Sequence, residues 1–292
     1  MSIASHEQML VEAEDIRRHG NETSWPVALG KFRTVAEFFR ASGDGARRLA
    51  ALNGEPRLLL YRLSDYRAAH DAAVEGTAVD TGDADLQGQG LAWKTLSSVE
   101  YFLGDYNASI RAAEKAIAFY KQTGDDYWQG ILLGNVAYTY REIGDTEHAL
   151  ECSEQALAIA RRLHDDFGVA FNLEALGTVQ LARGELEQAF ELYYEALDAT
   201  RLQPYPAVEA AIWSGLGDLY TQLNDDTRGE ESYQKALPLA ESAQDAAGDL
   251  KIISSLGELY VRQHRPRDAL TILRDGFERA KNSASLANSP NC

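Results

Sequence analysis

Residues 134–157 read GNVAYTYREIGDTEHALECSEQAL, a helical spacing that places Ala at 137, 149 and 156, where a core would normally carry larger side chains. The reason lies forty residues away in both directions. From Ala137 the same register holds Gly177, Gly217 and Gly257, with Ser97 behind; from Ala149 it holds Ala189, Gly229 and Ala269, with Ser109 behind. A third series runs Ala116, Ala156, Ala196, Ala236, Gly276. Three small-residue registers with one period predict a chain of repeated units, in which small residues mark the points where helices cross closely.

The punctuation keeps the same period. GDY at 104, GDT at 144, GEL at 184, NDD at 224 and HRP at 264 each separate two helical stretches, and SDY at 64 matches them. Gly or Asn suits a left-handed helix C-terminus, and the acid that follows suits the positive end of the next helix. Asp125, Asp165 and Asp245 mark the other junction and predict N-caps. The doublets Asp125–Asp126 and Asp165–Asp166 are therefore read as caps rather than catalytic carboxylates. Within a unit, ELEQAFELYYEALDATR carries a one-sided apolar stripe, whereas GVAFNLEALGTVQLA is apolar nearly all round. The first pattern belongs to an outer helix and the second to one covered by neighbours on several sides.

The sixth unit reads Trp213, Leu216, Gly217, Tyr220, Gly229, Tyr233, Ala236, and the seventh reads Ile253, Leu256, Gly257, Tyr260, Ala269, Leu273, Gly276. These residues resemble the tetratricopeptide pattern W-x2-L-G-x2-Y…A-x3-F. The forty-residue period is similar to the long-helix subtype of kinesin light chains and of arrays joined to CHAT-type (caspase-like) proteases, and EAEDIRRHGN…ALGKF resembles the start of the latter. The resemblance implies an all-α, right-handed α-α superhelix of about seven helix-turn-helix repeats. The array is expected over residues 5–281, less regular over 5–85 and regular over 86–281, between a tail at 1–4 and a disordered tail at 282–292. Asn53–Gly54–Glu55–Pro56 is expected to break a helix and Pro238 to kink or end one. QPYP at 203–206 is expected to alter the angle between two repeats, and residues 76–85 depart from the common spacing.

Net charge is −17, with 19 Lys/Arg against 37 Asp/Glu over residues 64–292. That balance speaks against a nucleic-acid partner, and no apolar run approaches the ~20 residues of a membrane span. The N-terminus lacks the order of a secretory signal, so a cytoplasmic location is expected. Cys152 and Cys292, like the six histidines, show no metal spacing, and no phosphate-binding loop is present. No catalytic residue, metal or cofactor is expected. A CHAT-type protease would need His and Cys from an α/β domain, and neither cysteine here carries over to that role.

In the resembled family the first helix of each pair lines a concave face. Transferred by register, this assigns Lys94, Ser98, Tyr101, Asn135, Tyr138, Arg141, Glu174, Thr178, Asp218, Gln222, Glu258 and Arg262 to a groove for a protein or peptide segment. Asn135 occupies a position where related arrays often hold a bound backbone through one donor and one acceptor. The function expected is a non-catalytic protein-interaction scaffold. One alternative is the regulatory arm of a larger effector domain, covalently joined or not. Another is capture of a basic partner on the outer face, where residues 184–231 hold 11 acids against Arg201 and Arg228.

Overall fold

The computed structural model describes residues 2–287 apart from 202 and 244. Among these residues there are fourteen α-helices, one 3-10 turn at Gly82–Asp85 and no strand. The helices follow one another as seven pairs: α1 (Ile3–His19) and α2 (Trp25–Ser42), α3 (Gly45–Tyr61) and α4 (Tyr66–Thr77), α5 (Leu86–Leu103) and α6 (Tyr106–Thr123), α7 (Asp126–Glu142) and α8 (Thr146–Leu163), α9 (Asp166–Ala182) and α10 (Leu186–Thr200), α11 (Pro206–Gln222) and α12 (Asp226–Ser242), α13 (Ala246–Arg262) and α14 (Pro266–Ala287). The fold is an all-α solenoid of helix pairs. No described helix is long and apolar enough to cross a membrane. The chain divides into two compact units, Met1–Ala149 and Leu150–Cys292, with the boundary inside α8.

The expected turns are present. Positions 64, 104, 144, 184, 224 and 264 all have positive φ, whether the residue is Gly (82° at Gly104, 78° at Gly144, 81° at Gly184) or not (52° at Ser64, 60° at Asn224, 59° at His264). The amide that follows closes back onto the helix, as in Asp105 N to Glu100 O at 3.0 Å and Asp225 N to Tyr220 O at 2.9 Å. These are Schellman closures, which satisfy carbonyls the helix end leaves open. At the other junction the Asp125, Asp165 and Asp245 carboxylates accept from Trp128, Gly168 and Gly248 amides, so the capping role is observed. Asp65, Asp105 and Asp225 cap their helices in the same way.

Small residues sit where helices of a pair meet. In the first unit Ser97 and Ser109 are both buried, and the Ser109 hydroxyl donates to the Ser97 carbonyl at 2.8 Å. In the second, a methyl added at Gly177 would lie 2.8 Å from the Tyr193 ring, and one at Gly217 would lie 2.5 Å from the Tyr233 ring. Both tyrosines are fully buried. Around them Leu173, Ile212, Leu216 and Leu219 close one core, and Ile252, Leu256 and Leu259 another.

Four expectations are corrected. Helix α3 runs unbroken with Pro56 inside it. The lost donor costs about 3 kcal/mol, but Leu49, Leu52, Leu58 and Leu59 are buried along the same helix and together outweigh it. Gly54, read as part of a break, instead admits the Phe32 ring, which an added methyl would meet at 2.2 Å. Pro238 likewise lies within α12, between buried Ala236 and Ala240. The first helix begins at Ile3 rather than at residue 5. The last runs to Ala287, through most of the segment assigned to a disordered tail; residues 288–292, including Cys292, lie outside the described residues.

Gly217→Ala is expected to destabilise the chain by about 1–3 kcal/mol through overpacking against Tyr233. Gly30→Ala, in α2 where an added methyl meets nothing within 4 Å, is expected to stabilise by about 0.5–1 kcal/mol. Urea unfolding of both variants checks the contrast.

Candidate functional site

The helical period decides which side chains share a face. On α9, α11 and α13, residues 178, 181 and 182, then 218, 221 and 222, then 255, 258, 259 and 262 follow the i, i+3, i+4 spacing of one helix side. In the structure these residues line one cavity of about 580 Å³, together with Tyr233 from α12. Thr178, Asp218 and Glu258 hold the same repeat position, as do Ala182, Gln222 and Arg262. Five of the assigned residues, Thr178, Asp218, Gln222, Glu258 and Arg262, are thus brought together. Glu174, one turn earlier on α9, accepts the Thr178 hydroxyl at 2.9 Å.

Register alone did not point to Tyr233, which belongs to the second helix of its pair. It crosses over Gly217 and donates its hydroxyl to Asp218 Oδ1 at 2.6 Å. The preceding pair repeats the arrangement, with Tyr193 over Gly177 and its hydroxyl 3.1 Å from Thr178 Oγ1. A glycine on one helix and a tyrosine sixteen residues later was the available sign. Burial raises the Asp218 pKa, and the charge of Glu258 adds to the rise; the Tyr233 hydroxyl and Lys251 oppose it. Burial and the Asp218 charge push the Tyr233 phenol above its ordinary range. Arg262 pairs with Asp226 and donates to the Thr221 carbonyl at 3.1 Å. Its charge is therefore partly committed, and the cavity wall retains an acidic excess from Asp218 and Glu258.

The other assigned residues lie in the first unit. Tyr101 of α5 and Tyr138 of α7 meet edge to face with ring centroids 6.0 Å apart, and the Arg141 guanidinium stands 4.6 Å from the centre of the Tyr138 ring. Phe102 extends this cluster by stacking on Tyr66 at 5.6 Å, with half of its surface exposed. Burial and the neighbouring Tyr138 raise the Tyr101 phenol well above the usual value. Asn135 is exposed on α7. Lys94 extends over the Trp128 ring at 4.3 Å, and burial together with the Arg57 charge pushes its ammonium down to about 8.

Three stretches, residues 88–162, 131–201 and 208–282, the first two overlapping, match the family model described as tetratricopeptide repeat, and together they span more than half of the chain. The chain belongs to the tetratricopeptide repeat family. Comparison with curated proteins gives no match. Among solved structures, this tetratricopeptide chain is similar to RapI in its apo form, at 11% identity and a TM-score of 0.79, covering 96% of this chain and 99% of that one. It is also similar to a Rap protein complexed with competence and sporulation factor, at 16% identity, a TM-score of 0.69 and coverage of 95% and 77%. A third similarity is to NprR in complex with its cognate peptide NprX, at 15% identity, a TM-score of 0.66 and coverage of 95% and 79%. At these identities the likeness is one of fold.

Lys94 has a folded-state pKa of about 8 against an ordinary 10.5. Between those values the unfolded chain holds a proton that the folded chain has released, so the stability tied to Lys94 rises with pH across that window. Below it the charged, half-buried form opposes folding in full. Lys94→Met is therefore expected to melt higher than the parent chain near pH 7, with the advantage shrinking by pH 9.5, as read from paired thermal unfolding curves.

Proposed function

We propose that this chain is a non-catalytic recognition scaffold in which a polypeptide segment lies in a groove along the first helices of successive pairs. The observation that carries the reading is the 580 Å³ cavity, to which α9, α11 and α13 each present polar side chains at one repeat position. Its size lies within the range of ligand pockets and admits side chains of a bound segment. Asp218 supports the same reading, since burial raises its pKa and a neutral residue would suit the fold better. The fold likeness to NprR, described in complex with its cognate peptide, and to a Rap protein complexed with competence and sporulation factor adds support at the level of architecture. In the first unit, Asn135 and Arg141 would hold backbone and side-chain groups of the same kind of ligand.

Display of random 12-residue peptides on the full chain tests this. Peptides selected on the parent chain should lose at least about tenfold in affinity on Ser255→Trp, which fills the cavity, or on Asn135→Ala combined with Arg141→Ala, while the melting curve moves little. A tenfold loss corresponds to 1.4 kcal/mol, the scale of one or two hydrogen bonds to a bound segment. Peptides that ignore these changes and depend instead on Glu187 and Glu191 would move the site to the outer helices and overturn the groove.

A further inference from the structure

The second helix of a pair packs against the first helix of the next, as α6 does on α7 and α12 on α13. Residues forty apart show how far this covers it. Ile117 and Leu157 are each 7% exposed, Tyr193 and Tyr233 at most 2%, and Ile110 6%. On α14 the same three registers hold Phe277, Leu273 and Leu270, which are 67%, 44% and 70% exposed. Among the described residues no helix follows α14 to cover them. They are not the face that docks on α13. That face is marked by Ala269, which is buried, and by Gly276, where an added methyl would lie 2.8 Å from Ile253. Residues 270, 273 and 277 form a second apolar stripe, at the i, i+3, i+7 spacing of one helix side.

Charge borders this stripe in a particular order. Arg267 and Glu278 are both exposed on one flank of it, and neither has an ion-pair partner among the described residues. Arg265, Asp268, Asp275 and Arg279 of the same helix are all paired. We propose that the stripe is the interface of a two-fold symmetric dimer, in which α14 of one copy lies antiparallel on α14 of a second. An isologous contact sets each residue against its counterpart by inversion of order. With the axis passing between residues 272 and 273, Arg267 of each copy meets Glu278 of the other, so both unpaired charges find partners twice. At that register Leu270 inserts between Leu273 and Phe277 of the second copy, as a knob into a hole. Arg274 lies near the axis, where its stem extends the apolar contact while the guanidinium reaches solvent. The stripe offers on the order of 400 Å² of apolar surface per chain, the size of patches that mark interaction sites. At the apolar fraction of homodimer interfaces, two such stripes correspond to about 1,200 Å² buried in total, enough for a specific contact. The residues are separate from the cavity of α9, α11 and α13, and the dimer stands or falls independently of the groove.

Sedimentation velocity of the full chain, across a dilution series from low to high micromolar concentration, tests it. The parent should pass from monomer to dimer and stop there. Phe277→Asp should weaken dimerisation at least about tenfold, since a carboxylate would be buried in the contact, while the melting curve measured at monomeric concentration stays where it was. Leu270→Lys should do the same, and serves if the first variant does not fold. Arg267→Glu should also weaken the dimer, and adding Glu278→Arg to it should restore the parent affinity, because the exchanged charges meet again across the axis. A parent chain that stays monomeric throughout the series overturns the proposal. So does a mass that keeps growing past the dimer, which marks head-to-tail assembly, or a dimer indifferent to Phe277→Asp and Leu270→Lys. A dimer that depends on Phe277 but is not restored by the charge exchange overturns the antiparallel pairing.

Discussion

Close crossing of the two helices in a pair is the constraint on which the rest of each unit is built. Where the second helix passes over the first, there is room for a hydrogen, a methyl or a hydroxymethyl, and residues 97, 137, 177, 217 and 257 are accordingly Ser, Ala or Gly. The approach leaves space beside each crossing that larger groups fill, as Tyr193 and Tyr233 do next to Gly177 and Gly217. The apolar face of the first helix is then covered by its partner and its neighbours. Its remaining side is where Thr178, Asp218 and Glu258 line up.

Most of this organisation is local, which is why it could be read from the residues. A left-handed turn residue, a capping aspartate and a small crossing residue each act within a few positions of themselves, so their forty-residue recurrence marked the pairs and the turns. The misreadings arose where a local rule met a tertiary one. Pro56 and Pro238 remove a donor wherever they stand, yet their helices continue because buried neighbours hold them. Gly54 looked like a breaker when it is a seat for Phe32. Tyr233 reads as a core residue of an outer helix, and nothing in its own segment says that its hydroxyl reaches Asp218.

Electrostatics gives the two units different characters. The second presents Asp218 and Glu258 at its cavity, with Arg262 partly committed to Asp226. The first holds Lys94 half-buried, against the prevailing charge of the chain. Neither arrangement favours the isolated fold: burial works against the charged form of Asp218 just as it works against Lys94. Charges placed against the interest of stability are a feature of recognition surfaces more than of scaffolding.

The tyrosine that passes over a glycine has a further meaning for how such repeats diversify. Because the Tyr233 hydroxyl emerges beside Asp218, the chemistry of the lining is written partly on the opposite helix of that pair. An exchange of Tyr233 for Phe would erase one donor from the lining while every first-helix residue stayed the same. Selectivity in a molecule of this design can drift through positions that a survey of surface residues would pass over.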